Sequence, residues 1–281
     1  MSDQNQSLLD HINASIQDGM VEMPVFSKIS SRILSLAQQD NFDMKQLERL
    51  IHADPVLTTE VLRSANSAFF RGLTEIKSVR AAVVRLGIKQ VTSIVLLSAE
   101  RSKYSLKTPQ LNAMVKKLWM HTVGCALGSQ WLAKKLKYPE METTAFIGGL
   151  LHDIGKLLLL RIMDQLLVNK AIPFTITGEF CQEVVDLLHA DKGADLLHHW
   201  NVPENYCKIV RQHHINEFDA SDIPLTIVRL ANKTCNKLGI GLNPAPETVL
   251  ASTREAQILN TKDVLLAEFE IMLEDTTKVA K

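Results

Sequence analysis

The residues of this sequence most suited to chemistry lie in one apolar stretch, residues 148–160, which reads GGLLHDIGKLLLL. His152, Asp153 and Lys156 are its only ionisable side chains. Burying such groups in an apolar helix costs roughly several kcal/mol unless they are hydrogen-bonded, paired or bound to a metal ion. Lys156 shares a helix face with His152, whereas adjacent residues diverge by about 100°, so His152 and Asp153 can meet only at the rim of a cleft. Two interpretations stay open here: a metal site, or a buried pair satisfied by its neighbours.

Histidines elsewhere in the second half of the chain favour the metal interpretation. Seven of the nine lie between His121 and His214, spread over at least four predicted helices. Imidazole suits zinc, iron, nickel or copper, and a carboxylate also admits manganese or magnesium. Side chains that converge from separate helices are how a bundle builds a metal site. The spacing alone is not diagnostic, because no two of these histidines form an HExxH or zinc-finger pair.

Several histidines also have simpler interpretations. His121 lies one turn from Trp119 and Cys125, so it fits a core position as well as a ligand. The others that fit helix ends or exposed surface are His11, His52, His198 and His199.

The elements that must position these side chains are predicted to be helices. Strand and hairpin signals are scarce, so the predicted fold class is all-α. Asp43 opens a capping-box pattern, Asp54-Pro55 reads as an N-cap followed by a first-turn proline, and Ser78 and Gly87 bracket a short helix. The predicted helices cover 6–18, 26–39, 44–53, 55–65, 79–86, 89–100, 110–136, 142–163, 177–191, 203–214, 224–238, 246–260 and 262–275.

Composition indicates a globular protein without a bias toward a charged partner. Of the 281 residues, 46% are apolar and 22% charged, which is ordinary for a globular protein. Lys plus Arg and Asp plus Glu both number 31, so no basic excess favours nucleic acid or an anionic membrane. The polar start and the lack of an apolar run of about 18 residues predict a cytoplasmic protein without a membrane span. The separated cysteines fit small core positions of a reduced protein; they are Cys125, Cys181, Cys207 and Cys235.

Four motifs in the first half of the chain resemble the HDOD domain family. They are DPVL at 54–57, VLRSANSAFF at 61–70, IKSV at 76–79 and AAVVRLG at 81–87. The resemblance, from about Met23 to His214, implies an HD-like helical bundle with an N-terminal helical layer. It implies an HDOD domain over 20–216, whose N-terminal helical part ends at about residue 108, and C-terminal helices over 217–281 that complete the bundle. Judged as residues alone, Asn66 and Ser67 could simply terminate a helix.

The second half resembles the HD superfamily of metal-dependent phosphohydrolases, in the order His121, then His152-Asp153, then a late acidic or amide residue. Its later histidines are similar to the extra ones of the HD-GYP branch, which hydrolyses cyclic dinucleotides. The resemblance implies catalytic roles for Asp153 and Lys156, with Lys156 contacting a substrate phosphate. It also implies one or two divalent transition-metal ions, of iron, manganese, nickel or zinc. The implied metal ligands are His121, His152, Asp153, His189, His213, His214 and Asn232.

Two departures from that pattern bear on activity. Asn232 stands where the family has its last metal-binding aspartate, and an amide oxygen coordinates without supplying charge. His213-His214 is followed by Ile215, and no Gly-Tyr-Pro motif occurs anywhere in the sequence. Ligand histidines need groups that fix their tautomers, and the candidates for that role are Glu179 and Glu183.

The HDOD resemblance and the neutral Asn232 favour a regulatory domain in bacterial signal transduction. Its partner would be a signalling protein or a nucleotide, and its metal site would have little or no activity. The alternative is a metal-dependent phosphohydrolase acting on a nucleotide or cyclic dinucleotide, which the retained histidines support. Nucleic-acid and membrane partners are not expected, and the sequence carries no sign of oligomeric state. Asp153→Ala separates these hypotheses from a structural role, because an enzyme would lose metal and activity while keeping most of its helicity.

Overall fold

The computed structural model describes residues 28–37, 44–67, 74–171 and 176–279, together with Ile12 and Ala14. Among these residues every regular element is a helix, which confirms the predicted all-α class. Short 3₁₀ segments occur at Pro139–Met141 and Leu250–Ser252. The α-helices are α1 Lys28–Ala37, α2 Met44–His52, α3 Pro55–Ala65, α4 Val79–Leu86, α5 Ile88–Arg101, α6 Pro109–Lys135, α7 Glu142–Leu151, α8 Ile154–Val168, α9 Gly178–His199, α10 Glu204–Gln212, α11 Ile223–Lys237, α12 Arg254–Ile258 and α13 Asp263–Val279.

The chain divides into two compact units. The N-terminal unit is Val25–Lys103 and contains α1 to α5. The C-terminal unit is Tyr104–Lys281 together with Met1–Pro24, and it contains α6 to α13. Each unit buries its own set of apolar side chains. The four HDOD-like motifs therefore belong to the N-terminal unit, and the candidate ligands all belong to the C-terminal unit.

Helix boundaries in the N-terminal unit follow the local signals of the sequence. The Asp54 carboxylate accepts a hydrogen bond from the Val56 N–H at 2.8 Å, and Pro55 occupies the first turn of α3. Ser78 Oγ accepts the Ala81 N–H at the start of α4, and Gly87 ends that helix with φ +83°. These capping predictions are confirmed, since each signal acts within three residues of the backbone group it satisfies.

Asn66 ends α3 and holds the segment that follows it. Its side-chain amide donates to the carbonyls of Leu62 and Ile76, at 3.0 and 2.8 Å, and its oxygen accepts the Ile76 N–H at 2.8 Å. Ser67 Oγ donates to the Ser64 carbonyl at 2.7 Å. The structural interpretation of these two motif residues is therefore confirmed.

The long helix α6 is central to the C-terminal unit. Fourteen buried residues from its neighbours and itself form an apolar core cluster, which includes Ile227 of α11 and Phe269 of α13. The Trp131 ring of α6 stacks on Phe269, with centroids 5.5 Å apart and planes 13° apart. This packing holds the middle of α6, where His121 lies, beside the end of α7.

The central apolar stretch is two helices, so the single helix predicted over 142–163 is wrong. α7 ends at Leu151 and α8 begins at Ile154, and Asp153 between them has φ −106° and ψ 16°. The break consists of His152 and Asp153, and Asp153 occupies the N-cap position of α8 without a capping hydrogen bond from its side chain. Because the chain leaves the helix here, the adjacent His152 and Asp153 reach one point, with Nε2 of the first 3.3 Å from Oδ2 of the second.

Other predicted boundaries also change. The helix predicted over 177–191 extends to His199 as α9, because the helix continues through residues 191–193. The predicted 246–260 contains only a 3₁₀ segment and the five-residue α12. The predicted 6–18 lies outside the described residues except for Ile12 and Ala14, which are helical, and the capping residue Asp43 also lies outside them.

Cysteine state and helix hydropathy agree with the composition. All four cysteines are free and buried, as their separation in the sequence predicts. Within the described part of the chain, no single helix has the length and hydropathy of a membrane span; α4 and α5 meet those criteria only as a pair, bent by 118°.

Candidate metal centre

Four buried histidines surround the carboxylate of Asp153. One pair approaches Oδ2, with His121 Nε2 at 3.5 Å and His152 Nε2 at 3.3 Å. The other pair approaches Oδ1, with His189 Nε2 at 3.5 Å and His213 Nε2 at 3.4 Å. The five side chains come from α6, the break between α7 and α8, α9 and the residue after α10. The structure thus brings together residues that are up to 92 positions apart in the sequence.

The outward nitrogen of each histidine faces a backbone carbonyl. The Nδ1 atom of His121 lies 2.8 Å from the Ile240 oxygen. The same atom of His152 lies 2.8 Å from the Gly149 oxygen, and that of His189 lies 2.8 Å from the Val185 oxygen. In His213 it lies 2.7 Å from the Val210 oxygen. A carbonyl only accepts, so we assign the proton to Nδ1 in all four rings. Nε2 is then left with a lone pair directed toward Asp153.

These tautomers make the centre unfavourable without a cation. His121 Nε2 is 3.2 Å from His152 Nε2, and His189 Nε2 is 3.3 Å from His213 Nε2. With protons on Nδ1, each pair brings two lone pairs together, and neither nitrogen has a hydrogen to donate. A positive ion beside each pair would turn these contacts into coordination, which needs the neutral imidazole.

The Asp153 carboxylate would also be stabilised by a bound cation. Both of its oxygens are buried and neither makes a well-aligned hydrogen bond; Lys156 Nζ, 2.9 Å from Oδ2, forms an ion pair with the carboxylate. Asp164, another buried aspartate, shows the usual solution, because its oxygens accept the N–H groups of Lys107 and Thr108 at 3.1 and 2.7 Å. Buried carboxylate oxygens are normally hydrogen-bonded or bound to metal, so Asp153 fits a ligand.

Electrostatics keep the centre in the protonation state that binds a cation. Burial raises the pKa of Asp153, but the buried positive charge beside it, which includes Lys156 Nζ, outweighs that effect and holds the pKa well below its usual range. Burial lowers the pKa of His121 to about 4 against the opposing charge of Asp153. It likewise lowers the pKa of His213 and of His189. At neutral pH the site therefore presents an ionised carboxylate and neutral imidazoles at His121, His189 and His213.

His214 forms the exposed edge of this cluster. Its ring lies beside those of His189 and His213, with centroids 5.0 and 4.0 Å apart. It offers a donor atom within 4.8 Å of those of Asp153, His189 and His213. Burial lowers its pKa to about 4 as well, so it too is neutral at pH 7. His214 is exposed, whereas Asp153, His189 and His213 are buried.

Two glycines allow the backbone to approach the ligands. A Cβ on Gly155 would lie 1.9 Å from the His189 oxygen and 2.8 Å from the Gly193 nitrogen, so α8 meets α9 there at backbone distance. Gly241 has φ +125°, and a Cβ on it would lie 2.8 Å from His121 Nδ1. The close contact at Gly155 places His189 against Asp153. The conformation of Gly241 lets the carbonyl of the preceding residue, Ile240, orient His121.

The donor spacing agrees with tetrahedral coordination. Zinc–nitrogen distances of about 2.0–2.1 Å give ligand atoms about 3.3 Å apart at the edge of a tetrahedron. The contacts among the His189, His213 and Asp153 atoms are 3.3, 3.4 and 3.5 Å. Those among the His121, His152 and Asp153 atoms are 3.2, 3.3 and 3.5 Å. The residues present would therefore fit two ions, one held by each histidine pair beside Asp153.

The structure bears on the predicted roles of Asn232, Glu179 and Glu183. Asn232 is buried on α11, and its Oδ1 accepts a hydrogen bond from Asn236 at 3.3 Å, so its ligation stays a prediction. Glu179 and Glu183 are exposed, and the prediction that they orient the histidines is wrong. Backbone carbonyls do this instead, because the helices bring them within 2.8 Å of the rings.

Sequence reasoning missed Cys125 as a member of the cluster. It was assigned to the core, and it is indeed fully buried. Yet its Sγ lies 3.5 Å from His121 Nε2 and groups with His121 and His152 as a set of metal-ligand atoms. The available signal was its i+4 spacing from His121, which places both side chains on one face of α6.

The fold and this residue set define an all-helical protein with a buried histidine–aspartate centre. The model of the HDOD domain matches residues 23–216, and the chain belongs to the HDOD domain family. The resemblance of the motifs to that family is therefore confirmed.

Solved structures share the fold. An HDOD domain protein of unknown function from Geobacter sulfurreducens has a TM-score of 0.76 at 20% identity, over 96% of this chain and 97% of that one. A protein from Shewanella amazonensis, named as a candidate metal-dependent phosphohydrolase, has a TM-score of 0.64 at 18% identity, over 98% and 100%. A protein from Marinobacter aquaeolei, named as a candidate signal transduction protein, has a TM-score of 0.69 at 21% identity, over 99% and 66%. At these identities the likeness establishes the fold alone.

The chain also matches a curated relative that is longer. It is 24% identical over 278 residues to an uncharacterised protein of Treponema pallidum. The match covers 94% of this chain and 53% of the relative, so the chain spans about half the length of that protein.

Proposed function

We propose that the C-terminal unit is a metal-dependent phosphohydrolase centre of the HD type, holding two divalent transition-metal ions and acting on a phosphate ester of a nucleotide or cyclic dinucleotide. The observation that carries this proposal is Asp153, a buried carboxylate that pairs with Lys156 and is faced by four imidazole Nε2 atoms. Ions held at such a site polarise a phosphoryl oxygen and activate water as a nucleophile.

The residues of this chain have separate tasks in the proposal. Asp153 and the four buried histidines bind the ions, and the carbonyls behind each ring fix its orientation. Lys156, now paired with Asp153 at 2.9 Å, gains a free positive charge when ions neutralise the carboxylate. It would then bind and orient a substrate phosphate.

The second candidate is a regulatory module that binds metal or nucleotide without turnover. Asn232 supports it, because an amide at that position leaves the proposed ions with less negative charge than an aspartate would. The name of the Marinobacter protein points the same way. The signalling partner, whether a protein or a nucleotide, belongs to this proposal.

Metal content and hydrolysis distinguish the two candidates. Purified, tag-free protein would be analysed by plasma mass spectrometry, then assayed with bis(p-nitrophenyl) phosphate and cyclic dinucleotides in the presence of Mn, Fe, Ni or Zn. We expect about one or two ions per chain and hydrolysis that depends on them. Bound metal without hydrolysis of any substrate would favour the regulatory module.

Two aspartate variants provide the control. Asp153→Asn keeps the side-chain shape and should lose both metal and hydrolysis while retaining helicity by circular dichroism. Asp164→Asn changes an equally buried aspartate outside the cluster and should retain both. A protein that binds no metal after supplementation would contradict the proposal.

A further inference from the structure

We propose that Cys125 is a thiolate ligand of the ion held by His121 and His152. This inference rests on the proposed metal centre and names a ligand that the histidine and aspartate pattern does not include. The thiol proton leaves to solvent as the sulfur–metal bond forms, so the step is a ligand exchange without oxidation.

The position of Cys125 is the first argument. It lies one turn after His121 on α6, fully buried, with Sγ 3.5 Å from His121 Nε2. The ligand atoms of Cys125, His121 and His152 all lie within 4.8 Å of one another. His121 is held in place from behind by the Ile240 carbonyl, so the shared point is set by both side chains.

The distances are the second argument. Zinc–sulfur bonds of about 2.3 Å and zinc–nitrogen bonds of about 2.05 Å give a sulfur–nitrogen edge of about 3.6 Å and a nitrogen–nitrogen edge of about 3.3 Å. The observed Cys125–His121 and His121–His152 contacts are 3.5 and 3.2 Å. Without a metal ion the same Cys125–His121 contact is an S–H···N hydrogen bond, so the sulfur already faces the nitrogen lone pair that an ion would bind.

Charge is the third argument. Two divalent ions would share a single carboxylate, Asp153, because the histidines and Asn232 are neutral. A thiolate at Cys125 adds the second negative charge to the ligand set. Thiolate also shifts preference toward soft and borderline ions such as zinc, whereas the half formed by His189, His213 and Asp153 has only nitrogen and oxygen donors. The two halves of the centre would then differ in metal preference.

Cobalt spectroscopy tests the sulfur bond apart from activity. The full chain would be stripped with chelator, loaded with Co²⁺, and measured for bound cobalt and for near-ultraviolet absorption. We expect a thiolate-to-cobalt charge-transfer band, which histidine and carboxylate ligands do not produce. X-ray absorption of the zinc form should show a sulfur neighbour at about 2.3 Å, and this measurement needs no variant.

Matched cysteine variants assign the signal. Cys125→Ser should abolish the band and weaken binding of one ion by at least the roughly 10–100-fold that changes around metal ligands produce. Cys207→Ser is the control, because Cys207 forms a separate set of possible metal ligands with His198 and Glu204. The charge-transfer band of this variant should match that of the wild type. If cobalt binds but no sulfur signal appears in the wild type, Cys125 is a core residue and the metal centre still stands. A band lost in Cys207→Ser instead would overturn the assignment, and no bound ion would overturn both proposals.

Discussion

At the scale of single residues, the chemistry of the centre depends on how the charge of Asp153 is balanced. Lys156 Nζ lies 2.9 Å from Oδ2, and both side chains are buried. The four imidazoles direct lone pairs at the carboxylate, so they do not neutralise it. Lys156 is therefore the full positive charge that pairs with Asp153, and under the proposed function a metal ion would compete with it for the one carboxylate.

Lys156→Met tests this competition. Removing one partner of a buried ion pair typically destabilises by about 3–5 kcal/mol, so the metal-free variant should be less stable than wild type. An ion that binds only the folded state raises stability by mass action, and its effect should be larger once Lys156 is gone. Thermal unfolding with chelator and with Zn²⁺ or Mn²⁺ would measure the increase in Tm on adding metal.

Lys117→Met, at an exposed position of α6, is the matched control and should respond like the wild type. Equal increases in Tm for Lys156→Met and the wild type would mean that Lys156 does not compensate the charge of Asp153.

At the scale of elements, the site depends on one helix break and one close helix contact. The break between α7 and α8 turns His152 and Asp153 to the same point. The contact of α8 with α9 at Gly155 brings His189 to the other oxygen of Asp153. Neither feature adds a ligand, but the donor spacing of the centre follows from both.

Gly155→Ala is expected to disturb one half of the centre more than the fold. Its Cβ would meet the His189 backbone oxygen, so α9 must shift, and overpacking of this kind costs about 1–3 kcal/mol. The ion held by His189 and His213 should be lost, which metal analysis would register as about half of the wild-type content, assuming the two-ion site. Urea unfolding would give the accompanying loss of stability.

Gly239→Ala separates strain from ligand displacement. Gly239 has φ +69°, and no atom lies within 4 Å of the point that a Cβ would occupy, so alanine there costs about 1–2 kcal/mol of backbone strain without a clash. This variant should lose stability and keep its metal. Full metal retention in Gly155→Ala would show that the approach of α9 does not set the site.

At the scale of the whole molecule, the family match ends at residue 216, but the C-terminal unit continues to its last helix. Buried Arg229 of α11 donates to the Gln212 carbonyl at 2.8 Å, next to His213, and to Glu255 of α12 at 2.7 Å. Lys233 also pairs with Glu255, at 2.6 Å. The segment after the family match is therefore connected to a ligand-bearing turn by a buried ion network.

Glu255→Gln should lower stability in a pH-dependent way. Burial raises the pKa of Glu255, but the Lys233 hydrogen bond and the charge of Arg229 outweigh it and lower that pKa below its ordinary value of 4.5. A lowered carboxyl pKa stabilises the folded state above the unfolded value, and that contribution disappears as the pH falls through the folded-state pKa. Breaking the buried pair should cost about 3–5 kcal/mol at pH 7.

Urea unfolding of Glu255→Gln and the wild type between pH 7 and the acid range would measure this. The difference in unfolding free energy should shrink as the pH falls below 4.5. Glu247→Gln, at an exposed position, is the control and should follow the wild type. A difference that stays constant with pH would mean that Glu255 acts through shape and not through its charge.

The prediction from sequence succeeded where the physical cause is local. Caps such as Asp54 and Ser78 satisfy backbone groups within three residues, so they could be located from the letters alone. The full length of α9 and the break before α8 could not be located in this way, because contacts between helices override the local pattern there. The same holds for Cys125, whose i+4 spacing is compatible with either a ligand or a core residue until His152 is placed beside it.

The sequence by itself determined the all-helical class, the family and the residue types available for a metal centre, because periodicity, capping and motif order are properties of the chain. Only the tertiary structure decided that the histidines meet in two pairs on one carboxylate, that carbonyls and not glutamates orient their rings, and that Cys125 lies beside His121 and His152. Those features depend on distances between residues far apart in the chain, which arise only when the helices pack.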